Sequence, residues 1–258
     1  MIVLDKNIIA LDEKDCPKDI SFIDFDINNH YSELNSVLKI NFKDDLKYNI
    51  SCVKKLIQLE NNKKIYLSDF KNKNLKYIIS NYNDDIIIAL RALCISDIKE
   101  RYTFVYDSIF KALDKIWKKE NPCEFCDNKC IATREEKFFN QENGCCYSFD
   151  YTTSLFSPYF ITNKKQCQYL KENKSCATQN MSCKLHICHY LKKYKHFNLD
   201  IDNNLLFQSF FSKKQQLVLK YNHFHSKEEL IDKLLEDDKT PFFVYYTQNK
   251  YRVKSYTE

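Results

Sequence analysis

A single glycine, Gly144, in 258 residues is the feature that most narrows what this chain can fold into. Ordinary usage of about 7% would supply about eighteen. Glycine takes left-handed backbone at little cost, so sharply turned and phosphate-cradling loops depend on it. A P-loop, a G-x-G-x-x-G dinucleotide turn and a G-x-S-x-G elbow each need at least two. P-loop hydrolysis, a standard dinucleotide site and an α/β-hydrolase triad are thereby excluded in their usual forms.

Gly144 stands immediately before Cys145-Cys146, inside the second unusual feature. Residues 123–188 hold Cys123, Cys126, Cys130, Cys145, Cys146, Cys167, Cys176, Cys183 and Cys188, nine of the twelve cysteines in 66 of 258 residues. C-x2-C-x3-C, a Cys-Cys pair and four single cysteines present more thiols than one metal ion can use. In C-E-F-C two thiols lie within reach of one metal, as in zinc knuckles and iron–sulfur loops. The order differs from the C-x3-C-x2-C of radical-SAM loops and from the bacterial ferredoxin run, which disfavours both. Adjacent cysteines point apart, so Cys145 and Cys146 serve different metals or only one ligates. A glycine before them permits close backbone approach to a metal or sulfide. From Cys183 a short helix through Leu185, Tyr190 and Leu191 would put Cys183 and His186 on one face, making His186 a substitute ligand. His189 is harder to place.

The net charge of +5 is unevenly spread. Residues 164–195 hold eight lysines against Glu172 alone, a local +7 that leaves −2 for the rest. Four thiolates on zinc or on an oxidised four-iron cluster leave about −2, so these lysines can simply balance a metal site. They can also form a patch for phosphate or nucleic acid, with Tyr169, Tyr190 and Tyr194 available for stacking. The first residues lack a basic n-region and a long apolar run, and the apolar stretch 86–95 is interrupted by Arg91, so neither a secretory signal nor a membrane span is expected. Twelve cysteines without a secretory signal fit a reducing cytoplasm, where clustered thiols more often hold metal than form disulfides.

Three regions follow. Residues 1–95 are mixed: β-prone runs at 2–4, 21–27 and 65–67 alternate with weakly helical pieces at 31–39 and 51–60. Cys16 and Cys52 are isolated and read as small buried side chains. Asp84 and Asp85 can cap an apolar core helix from Ile86 to Cys94. Residues 96–195 open with a helix from Ser96 whose Ile98, Tyr102, Val105, Ile109, Ala112 and Ile116 share a face, stopped by Asn121-Pro122. This helix leads directly into the cysteine block. Residues 196–258 carry helical segments, a capping box at Ser226 and Glu229, and a possible hairpin of 242–247 with 251–256. The expected class is α+β, helix-dominated, with a loop-rich metal-binding block in the middle.

The elements "DNKC" (Asp127 to Cys130), "GCCY" (Gly144 to Tyr147) and the stretch from Cys183 to Leu191 carry a resemblance. Over residues 96–195 the chain resembles the YkgJ-type cysteine-cluster proteins, described as zinc- or iron-chelating, and related cysteine-rich proteins of Firmicutes. A related cluster occurs in flagellin lysine methylases. The resemblance implies that the nine cysteines of the block are metal ligands. The chain departs from the pattern by lacking Arg-Pro before the last cysteine and by a longer Cys130–Cys145 spacing, which gives no warrant for methylase activity.

Two functions follow. One is a cytoplasmic protein whose cysteines hold an iron–sulfur cluster or zinc, with a protein redox partner or a redox-dependent modification as its role. The alternative is a zinc-structured module that binds nucleic acid through Lys192, Lys193 and Lys195. No Cys/His/Asp arrangement singles out a catalytic nucleophile, and whether the chain is an enzyme stays open.

Overall fold

A computed structural model describes residues 2–5, 8–10, 37–61, 76–80, 82–124, 131, 147–150, 163–166, 179–222 and 225–236. The chain divides into two compact units, Met1–Ser108 with Asp202–Ser212, and Ile109–Ile201 with Lys213–Glu258.

The described helices are α1 (Leu46–Asn61), α2 (Asp84–Leu93), α3 (Ile98–Glu120), α4 (Met181–Leu185), α5 (His189–Tyr194), α6 (Leu205–Phe210), α7 (Lys213–Tyr221) and α8 (Lys227–Leu235). Six of them start on a side-chain cap that satisfies an otherwise orphaned N–H. Asp45, Asn83, Asp97, Asn180, Asn204 and Ser226 each accept from the backbone N–H three residues on. The expected capping box of Ser226 and Glu229 is closed in both directions. In two places the cap differs from expectation. Asn83 caps α2, leaving Asp84 and Asp85 in its first turn, and Asp97 rather than Ser96 caps α3.

In the first unit the core is helical. Phe42 with Cys52, Val53 and Leu56 of α1, Ile86, Ala89, Leu90 and Leu93 of α2, and Leu205, Leu206 and Phe207 of α6 are buried. Burial pushes the Cys52 thiol up, with the Tyr48 side chain and the Lys43 charge opposing it. That is the behaviour of an inert core thiol, in keeping with the reading of Cys52 as a packed side chain. Cys16 lies outside the described residues. A buried cation, Arg101, is satisfied by two bonds from Nε and one terminal nitrogen to the Ile95 carbonyl, at 2.9 and 2.6 Å.

Paired backbone segments accompany the helices. β1 (Ile2–Asp5), β2 (Ile8–Ala10), β3 (Val37–Asn41) and β4 (Lys76–Ser80) run in the order β1-β2-β4-β3. β1 and β2 are antiparallel with an irregularity between Val3 and Asp5, and β4 lies parallel to β2 and β3. In the second unit β5 (Tyr147–Asp150) and β6 (Asn163–Gln166) form an antiparallel pair.

The expected α+β class is corrected. Among the residues whose side chains are described, 72% are helical and none lies in a strand, so the described core belongs to an all-helical class. The many Ile, Tyr and Phe residues raise strand expectation everywhere, but what buries them is packing along helical stripes, which overrides propensity. Part of the 31–39 piece expected as helix is β3, and 21–27, 65–67 and the possible hairpin of 242–256 lie outside the described residues.

Phe207 is fully buried among α1, α2 and α6. Phe207→Ala is expected to destabilise the protein by about 3–5 kcal/mol, the range for removing a buried aromatic ring. Urea unfolding followed by circular dichroism checks this through a lowered midpoint.

Candidate metal centre

The second unit begins within α3, the helix that feeds the cysteine block. Its buried stripe runs through Val105, Tyr106, Ile109 and Leu113. Ile98 is exposed and Ala112 faces outward, so the face is rotated from the expected one. Near its end Trp117 donates from Nε1 to the Lys184 carbonyl at 2.8 Å, and its ring meets Phe197 at 5.2 Å and 60°. The helix stops at Asn121, which takes a left-handed φ of 40° while its N–H returns to the Trp117 carbonyl at 2.9 Å. Asparagine tolerates this conformation better than most residues.

Cys123 follows Pro122 and precedes Glu124, itself left-handed at φ 43°. The Cys123 carbonyl accepts from the Ile131 N–H at 2.8 Å. This bond closes the segment that contains Cys126 and Cys130, bringing its two ends together. Cys123, Ile131, Ile116 and Trp117 pack against a buried apolar cluster of Ile187, Cys188, Leu191 and Phe197. Two cysteines 65 positions apart in sequence thus meet one apolar surface.

Cys183 is held by different elements. The Asn180 side chain accepts from the Cys183 N–H at 2.9 Å and donates to the Asn222 and His225 carbonyls at 2.8 and 2.7 Å. Ser182 donates to the Leu219 carbonyl at 2.7 Å and accepts from the Asn222 N–H at 3.1 Å. All four polar residues of this network are buried. They tie the start of α4 to the end of α7, and sequence reasoning missed them. The signal was an asparagine three residues before Cys183, the usual spacing of a cap.

The helix expected to run from Cys183 through Leu191 is broken. His186 caps α4 in extended backbone (φ −75°, ψ 116°), and Cys188 precedes α5, also extended. Cys183 and His186 therefore do not stack one turn apart on a helix face. Ile187 and Cys188, buried in the apolar cluster, divert the chain there. At the far end of α5, His196 takes a left-handed φ of 50° and the Phe197 N–H returns to the Leu191 carbonyl at 3.1 Å.

Of the ten expected ligands the structure describes Cys123, Cys183, His186 and Cys188; it brings Cys123 and Cys188 to one cluster and places Cys183 on the Asn180 network. Cys126, Cys130, Cys145, Cys146, Cys167 and Cys176 lie outside the described residues. Among the described residues no group of three or more His, Cys, Asp or Glu side chains gathers to hold a metal ion. The described donors at this cluster are two thiols against an apolar wall, the ligand type that soft metals prefer.

The lysine-rich segment also resolves into separate roles. Lys184, its side chain 7% exposed, binds Asp114 at 2.7 Å and lies over the Phe110 ring. Asp114 accepts Lys118 as well, at 2.6 Å. Burial works against ionisation of Asp114, but hydrogen bonds and charges of Lys118 and Lys184 outweigh it and hold its carboxyl below the usual range. Lys195 pairs with Glu124 at 2.6 Å. Lys192 and Lys193 are exposed.

No protein-family model, curated protein or solved structure matches this chain. Among the described residues no helix is long and apolar enough to cross a membrane.

Removing one partner of a buried pair strands the other charge, a loss of about 3 kcal/mol. Asp114→Ala should therefore destabilise strongly, and adding Lys184→Met should restore most of the loss, measured as a double-mutant cycle in urea. The depressed Asp114 pKa contributes stability that is complete above the unfolded value of about 3.9 and is lost as pH falls through the folded value. Asp114→Asn should accordingly flatten the acid side of the stability profile below that pH.

Proposed function

We propose that the chain is a cytoplasmic metal-binding protein whose clustered cysteines hold an iron–sulfur cluster or zinc. The observation that carries this reading is the meeting of Cys123 and Cys188 on one apolar cluster, inside a stretch with nine of the twelve cysteines. The backbone bond from the Ile131 N–H to the Cys123 carbonyl supports it, because it joins the two described ends of the C-x2-C-x3-C segment. The resemblance to YkgJ-type proteins points the same way. When bound, zinc would staple these segments, and an iron–sulfur cluster would add one-electron chemistry for a protein redox partner. The chain's own contribution is the apolar wall, which buries Cys188 and covers Cys123 in part.

The alternative, a zinc-structured module binding nucleic acid, draws on the same basic segment. Its support is thinner, because Lys184 is turned inward onto Asp114 and Lys195 is matched to Glu124. The exposed Lys192 and Lys193 with Tyr194 are what it rests on.

Anaerobic purification with visible absorption and metal and sulfide analysis tests the proposal. Wild-type protein is expected to carry iron with sulfide, or zinc, and Cys123→Ser with Cys126→Ser to lose most of it. Unchanged metal content in that variant would overturn the reading. Binding of DNA or RNA that weakens with salt and with neutralised Lys192 and Lys193 would favour the alternative.

A further inference from the structure

We draw no further inference here: the strongest candidate, the exposed basic and aromatic surface patch at the end of α5 formed by Lys192, Lys193 and Tyr194, belongs to the nucleic-acid alternative already stated, and nothing in the structure shows what covers it.

Discussion

A lysine buried in the second unit sets the terms for what surrounds it. Lys184 can be enclosed only because Asp114 meets its ammonium group at 2.7 Å; an unmatched charge at such a site costs several kcal/mol. The pair requires the short helix α4 to lie against the last three turns of α3, and Trp117 repeats the requirement by capping the carbonyl of the same lysine. One residue thus fixes α4 through both its side chain and its main chain. With α4 placed, Ile187 and Cys188 follow it into the apolar cluster, and Cys123 reaches that cluster from the other side. The order of causes runs from an ion pair, to a helix position, to an apolar cluster that takes Cys188 from one side and Cys123 from the other.

Scarcity of glycine leaves its mark on the same region. The described non-glycine residues with positive φ are Asn121, Glu124 and His196. All three lie within a few residues of Cys123 or at the end of α5, where glycine would ordinarily relieve the turn. Each is held by bonds of its own turn, Asn121 back to Trp117, Glu124 back to Asn121 and the Phe197 N–H after His196 back to Leu191, with the Lys195 ion pair added at Glu124. Without glycine at these turns the unfolded chain is stiffer, and the turns are fixed by local backbone bonds and, at Glu124, one ion pair. The helix starts show the complementary economy, with Asp, Asn and Ser caps drawn from a composition rich in asparagine.

What could be read beforehand divides along local and non-local lines. The capping box at Ser226, the stop at Asn121-Pro122 and the helix through 51–60 were legible because each depends on neighbours within one turn. The buried face of α3 was not, because Ile98 and Ala112 fit the same period as Val105 and Ile109 and only packing decides between the two stripes. The α+β expectation failed for a related reason: β-branched and aromatic residues abundant throughout the chain announce strands that the described core does not use. The break at His186 was hidden too. Nothing in K-L-H-I-C opposes a helix locally; the apolar cluster that buries Ile187 does. That Cys123 and Cys188 would meet across 65 positions was beyond any spacing rule, whereas the density of thiols in residues 123–188 was plain.

The surroundings of Cys123 and Cys188 constrain the chemistry that the proposed centre could carry. Ile116, Trp117, Ile187, Leu191 and Phe197 form an apolar wall, and two lysines of this segment are already matched, Lys184 to Asp114 and Lys195 to Glu124, while Lys192 and Lys193 are exposed. A four-thiolate centre carries about −2. Placed against such a wall it would gain little from neighbouring cations, and each added negative charge would meet a rising desolvation cost. For zinc this is tolerable, since its charge never changes. Were an iron–sulfur cluster held against this wall by Cys123 and Cys188, the wall would offer it few hydrogen bonds, which disfavours the reduced form.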